Sequence, residues 1–152
     1  MGSSTDLSFG QKIKEGLAQY SIQCDLRIAS AHRTPEYLLK ILREYGEEEK
    51  DQIVAITVAG LSDALSGVVA AQRLFPVVAC PPDMEKYDFP KVFSTAFTPS
   101  DVPVAFVNDP SKAANFVAQI FALTNPKLKL AISSKFEEKK RQIENRDKEL
   151  NK

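Results

Sequence analysis

Histidine is scarce in this chain: His32 stands alone among 152 residues, beside only two cysteines, Cys24 and Cys80. One imidazole and two separated thiols cannot assemble a metal-ligand cluster, which commonly needs three or four such donors. Both cysteines fall in apolar stretches and read as small hydrophobes rather than as a disulfide. Net charge is lacking too, with 20 basic residues against 20 acidic ones. Without a basic stripe outside the C-terminus, nucleic acid finds no electrostatic footing. The longest apolar run, residues 53–60, falls far short of the ~20 residues that span a bilayer. The start, Met1-Gly2-Ser3-Ser4-Thr5-Asp6, is polar and leads into no signal-peptide core. There is also no Gly-x-x-x-x-Gly-Lys loop for a nucleotide triphosphate. These absences lead to the expectation of a cytoplasmic protein without metal, cofactor, nucleic-acid partner or membrane association.

What is present is an alternation of short β-rich runs with longer helical stretches, the pattern of an α/β sheet. Strands are predicted over 24–30, 53–58, 76–80 and 102–107. The second is nearly continuous in apolar residues, as a parallel strand covered on both faces should be. Helices are predicted over 6–20, 35–45, 62–74 and 110–123, with 87–98 less regular. Asp109-Pro110-Ser111 is a strong helix start, since proline suits the first turn and Asp or Ser the cap. Residues 127–152 form a charged helix with sparse apolar positions (Leu130, Phe136, Ile143), expected to be solvated and to pack only at its beginning. The expected fold is a single three-layer parallel-sheet domain over 1–152, flavodoxin- or Rossmann-like. Its first strand is missing, because the chain opens on the loop that should follow one. Whether the sheet has lost an edge or a central strand, or the chain is shortened relative to its relatives, stays open.

Ligands of such sheets bind beyond the carboxyl ends of the strands, where loops turn into helix N-termini. Three loops there are chemically rich. The first holds Ser3, Thr5 and Asp6, with hydroxyls for a phosphate, a carboxylate for ribose hydroxyls and a helix start that Asp6 can cap. In the second, Ser30-Ala31-His32-Arg33-Thr34-Pro35, Thr34 reads as the cap and Pro35 as the first helical residue. Arg33 then makes an anion site near free N–H groups, and His32 is placed to move a proton near neutral pH. The third contains Ala59, Gly60, Ser62 and Asp63, with Gly60 allowing close backbone approach and Ser62 offering a hydroxyl at a helix start.

Together these loops resemble the phosphoribosylaminoimidazole carboxylase family, which includes the carboxyaminoimidazole ribonucleotide mutases. The family's Gly-Ser-x-Ser-Asp loop is matched by Gly2 to Asp6 with Thr5 for serine, and Ser-Ala-His-Arg-Thr-Pro is intact from Ser30 to Pro35. Ala59-Gly60 matches its Ala-Gly loop. Ser62-Asp63-Ala64-Leu65 is close to the Ser-Asn-x-Leu pattern of the members that use carbon dioxide directly, and Cys80-Pro81-Pro82 points the same way. Arg33, by contrast, is typical of the mutases. Asp63 replaces an asparagine, Leu61 an arginine, and Pro99-Ser100-Asp101 stands where the family has proline, a small residue and glycine.

The resemblance implies carboxylation of 5-aminoimidazole ribonucleotide in purine synthesis without biotin, ATP or metal. It implies His32 as the catalytic proton carrier, Arg33, Ser3 and Thr5 on the phosphate with Ser30 nearby, and Asp6 on the ribose. Ala59, Gly60 and Ser62 would line the carbon dioxide pocket, with Asp63 bringing a negative charge beside it. A homo-octamer with shared sites is implied as well. Two other readings stay open: a mutase acting on the carbamate of the same ribonucleotide, and a non-catalytic paralogue that only binds it.

Overall fold

A computed structural model describes residues 1–47, 52–82 and 93–151. A 3-10 turn at Ser4–Asp6 leads into α1 (Leu7–Ala18), followed by α2 (Pro35–Gly46), β1 (Ala55–Thr57) and α3 (Ala64–Ala71). Then come β2 (Val77–Ala79), β3 (Ala105–Phe106), α4 (Pro110–Ala122) and α5 (Pro126–Leu150). The three strands form one parallel sheet in the order β1-β2-β3, with Ala55 opposite Val77 and Val78 opposite Ala105. β1 and β2 are joined through α3, as parallel pairing requires.

Helices cover both faces, and alternation along the strands sends successive side chains to opposite layers. Val77 joins Leu38, Ile41 and Leu42 of α2 and Leu65 and Val69 of α3 in one core. Val78, one residue on, joins Ile13 and Leu17 of α1 and Ala113, Ala114 and Val117 of α4 in the other. α1 buries Gly10, Ile13 and Leu17, the three-and-four spacing of an amphipathic helix. It lies so close on α4 that a Cβ at Gly16 would come within 2.8 Å of the Ala114 Cβ. The sheet centre is dry, with Ala79 and Cys80 at 0% exposure, as are Ala113, Ala114 and Ala118 of α4.

The expected three-layer parallel architecture is therefore present. Four of its details are corrected. Residues 24–30 carry no strand, because the position between them and β1 offers a ladder partner only at Met1 and Gly2. The helix expected over 62–74 is confined to Ala64–Ala71, capped by Asp63 rather than Ser62. Asp6 and Thr34 stand at the N-cap positions of α1 and α2, yet neither side chain makes the capping hydrogen bond. Residues 93–96 are helical, whereas the rest of the segment expected to be less regular lies mostly outside the described residues. Asp109 does cap α4, accepting from the Ser111 and Lys112 backbone, with Pro110 in the first turn. On α5 only Leu128 is buried, and Leu130, Phe136 and Ile143 are all at least 60% exposed.

Candidate active site

Backbone pairing gathers the three loops at the carboxyl edge of the sheet. The Gly2 N–H donates to the Val58 carbonyl at 2.8 Å, and the Ala29 N–H donates to the Met1 carbonyl at 2.9 Å. The loop after Met1 is thereby held between the loop that follows Ala29 and the one that follows Val58. A Cβ on Gly60 would lie 3.6 Å from Asp6 Oδ1, which puts the buried Asp6 carboxylate directly against the third loop.

The first loop is shaped by its own hydroxyls. Ser3 Oγ accepts from the Thr5 N–H at 3.2 Å and from the Thr5 hydroxyl at 2.8 Å. Thr5 is exposed and Ser3 half-buried, so both remain within reach of a ligand. The Met1 ammonium sits behind this loop, donating to the Arg27 carbonyl at 2.8 Å. Burial lowers its pKa from the ordinary value, and the negative charge of Asp6 partly offsets that.

The second loop is a closed turn. The Ser30 N–H donates to Thr34 Oγ1 at 2.9 Å, the Arg33 N–H donates to Ser30 Oγ at 3.2 Å, and the Thr34 N–H donates to the Ser30 carbonyl at 3.0 Å. Ser30 and Thr34 thus bind each other and fix the backbone between them. His32 and Arg33, on the outside of that turn, are both exposed. Among the described residues neither side chain makes a hydrogen bond or ion pair. A basic side chain and an imidazole are held on a rigid turn and left available to a ligand.

The third loop turns its chemistry inward. Asp63, expected beside the substrate, is 2% exposed. Its Oδ1 accepts from the Ser66 N–H at 3.2 Å and the Ser66 hydroxyl at 2.6 Å, while Oδ2 accepts from the Thr95 hydroxyl at 2.5 Å. The Thr57 hydroxyl joins Ser66 Oγ at 2.6 Å, and the Asp63 N–H donates to Ser94 Oγ at 3.0 Å. The reason is local valence: a buried carboxylate must be surrounded by donors, and Ser66 of α3 and Thr95 supply them. What this loop leaves outside is the exposed Leu61 and Ser62, the half-buried Gly60 and the backbone of Ala59. Beside the network, Phe93 and Phe97 stack with centroids 5.3 Å apart, and Phe97 is 76% exposed. Sequence reasoning missed Ser94 and Thr95, because no local pattern announces a contact 31 or 32 residues away, and it gave no role to Thr57 or to Ser66, three residues from Asp63.

A parallel α/β domain with hydroxyls, a carboxylate, an arginine and a histidine at its carboxyl edge has the arrangement of a small-molecule site. The AIR carboxylase family matches residues 1–142. The chain is 43% identical over 150 residues to a phosphoribosylaminoimidazole carboxylase of Archaeoglobus fulgidus, covering 99% of this chain and 82% of that protein. It is 33% identical to the phosphoribosylaminoimidazole carboxylase of Treponema denticola, covering 99% and 94%. Among solved structures, Treponema denticola PurE superimposes with a TM-score of 0.91 at 32% identity, covering 100% of this chain and 96% of that one. A human bifunctional phosphoribosylaminoimidazole carboxylase/phosphoribosylaminoimidazole succinocarboxamide synthetase is 38% identical over 82% of this chain, which spans 29% of that longer protein. The chain belongs to the AIR carboxylase family, and its class is that of an enzyme of purine biosynthesis.

Proposed function

We propose that this protein carboxylates 5-aminoimidazole ribonucleotide with carbon dioxide directly, giving carboxyaminoimidazole ribonucleotide. The observation that carries the carboxylation chemistry is the second loop, a self-bonded turn with His32 and Arg33 on its outside at the carboxyl edge of the sheet. The choice of carbon dioxide over the carbamate rests on Ser62-Asp63-Ala64-Leu65 and Cys80-Pro81-Pro82. Arg33, Ser3 and Thr5 hold the phosphate, with Ser30 fixing the turn beside it, and the Asp6 carboxylate accepts from the ribose hydroxyls. The electron-rich ring carbon attacks carbon dioxide, forming one carbon–carbon bond and a tetrahedral ring carbon. His32 takes the proton from that carbon, and the electron pair of the broken C–H bond restores the aromatic ring. Gly60, the Ala59 backbone and the Ser62 hydroxyl line the space for carbon dioxide. Asp63 acts through Ser66 and Thr95 as a positioning residue. The site works in the cytoplasm, in a homo-octamer whose subunits share sites, with residues 1–152 forming one catalytic domain.

The direct test is an assay of the purified protein with aminoimidazole ribonucleotide and bicarbonate, following the carboxylated product by ultraviolet absorbance. Product formation supports the reading. Turnover only with the carbamate ribonucleotide places the chain among the mutases, a second reading that Arg33 favours. Binding of the ribonucleotide without either reaction makes it a non-catalytic paralogue.

A further inference from the structure

Carboxylation has a charge to place. As the electron pair of the ring carbon forms the new carbon–carbon bond, one π pair of the neutral carbon dioxide moves onto oxygen and a carboxylate appears. Donors aimed at that oxygen act more strongly on the transition state than on the bound gas. Around the third loop most donors are already taken. Asp63 accepts from the Ser66 N–H and hydroxyl and from the Thr95 hydroxyl. The Thr57 hydroxyl lies between Ser66 Oγ and the Val78 carbonyl, and the Thr98 hydroxyl donates to the Val102 carbonyl at 2.7 Å. Among the described residues, two hydroxyls beside this loop keep a proton without an acceptor: Ser62, which is exposed, and Ser94, which is half-buried.

Ser94 is fixed from two sides. Its Oγ accepts from the Asp63 N–H at 3.0 Å. That nitrogen is bonded to the Ser62 carbonyl carbon, so the hydroxyl lies against the Ser62–Asp63 peptide, at the end of the loop that begins with Ala59 and Gly60. The next residue, Thr95, is 1% exposed and tied to the Asp63 carboxylate. The Phe97 N–H closes the turn on the Phe93 carbonyl at 2.9 Å. An oxygen that accepts the Asp63 N–H still has its own O–H to give, and here that donor is held in place before any ligand arrives.

We propose that Ser94 is a further binding residue of this site, whose hydroxyl donates a hydrogen bond to the carboxylate formed from carbon dioxide, beside Ser62. The inference rests on the carboxylation reading above. It assigns the space for carbon dioxide to two separate segments, the loop after Val58 and the turn that begins at Phe93. Asp63, itself negative and already satisfied, is kept from repelling the new charge by the donors around it. Phosphate and ribose lie with Arg33, Ser3, Thr5 and Asp6, so the effect of Ser94 falls on the carboxylate alone. The product carries that group and the substrate does not.

Calorimetric binding of both ribonucleotides to the full chain and to its Ser94→Ala variant, beside the rate assay, tests this. Carboxyaminoimidazole ribonucleotide should bind about tenfold more weakly to the variant, and aminoimidazole ribonucleotide as before. Turnover should fall about 100-fold at an unchanged KM for the ribonucleotide. Ser94→Thr, which keeps the hydroxyl, should restore both. Equal loss of affinity for the two ribonucleotides, or no loss for either, would overturn the role. Should Ser94→Ala fail to fold, Ser94→Cys keeps a weak acceptor for the Asp63 N–H and gives up most of the donor, and the same pair of affinities is read. An unmodified chain that binds both ribonucleotides without turnover removes the carboxylation reading, while the two affinities still decide on Ser94. A chain that binds neither overturns both.

Discussion

The loops that follow Ala29 and Val58 leave the same edge of the fold, and they dispose of their polar groups in opposite directions. The first closes on itself through Ser30 and Thr34 and presents His32 and Arg33 to solvent. The second buries Asp63 and ties it to Ser66, Thr95 and, through Ser66, to Thr57. A turn that satisfies its own backbone leaves its charged side chains available for ligand, whereas a loop built round a buried carboxylate becomes scaffold. Substitutions in the first should therefore change chemistry at constant stability, and those in the second should change stability first.

The largest effect belongs to the exposed turn. Replacing His32 by asparagine removes the proton carrier while keeping size and polarity, so turnover should fall by about 10³-fold. Ribonucleotide affinity and melting temperature should hardly move, because no described group depends on the imidazole. Titration calorimetry and thermal melts beside the rate assay read all three quantities. A large drop in melting temperature would erase the contrast between the loops.

Next comes the buried loop. Asp63→Ala strips the acceptor from the Ser66 and Thr95 hydroxyls and the cap from α3, leaving buried donors unpaired. The cost is about 3 kcal/mol, or roughly 6–12 °C in melting temperature for a chain of this size. Asp63→Asn keeps one acceptor and should lose about half as much. If Asp63→Ala melted normally and only lost activity, the carboxylate would belong with His32 and not with the scaffold.

The two loops were unequally legible in the sequence for the same reason that they differ. Ser30 to Pro35 makes its contacts within five residues, so its turn, its helix start at Pro35 and its outward His32 follow from local chemistry. Asp63 depends on Ser94 and Thr95, whose proximity exists only once the chain has folded, and the sequence reading left its carboxylate facing the substrate. The strand expected over 24–30 failed similarly. Its apolar pattern suits a strand, but a strand is defined by its neighbour, and here only Met1 and Gly2 occupy the neighbouring position. The apolar run at 77–79 became a strand because β1 and β3 both lie beside it.

A smaller effect probes Cys80, fully buried directly after β2. Burial pushes the Cys80 thiol up to about 12, and the charge of Asp109 adds to the shift. A folded-state pKa above the unfolded one means that stability is complete below the ordinary value of 9.0 and is lost as pH rises toward 12. Melting temperatures between pH 8 and 11 should decline on the alkaline side, and Cys80→Ala should flatten that decline. A decline of equal slope in the variant would assign it to lysines or tyrosines instead.

The smallest effect concerns Asp101, in the turn where the Val102 N–H donates to the Pro99 carbonyl at 3.2 Å. Its φ of 64° lies in the left-handed region, where glycine is at ease and aspartate is tolerated at a modest cost. Glycine would remove that strain, worth about 1 kcal/mol, but would return about 0.4–1 kcal/mol through a more disordered unfolded chain. Asp101→Gly should therefore gain half a kcal/mol at most, roughly 1–2 °C. Asp101→Ala keeps a Cβ without a side chain that bonds locally, and should lose about 1 kcal/mol. The order glycine, aspartate, alanine in melting temperature, at constant turnover, marks this position as backbone geometry. Equal stability of the alanine and glycine variants, together with turnover raised several-fold in both, would show instead that the Asp101 charge acts on the site, and would place this loop with His32 and Arg33 among the groups that face the substrate.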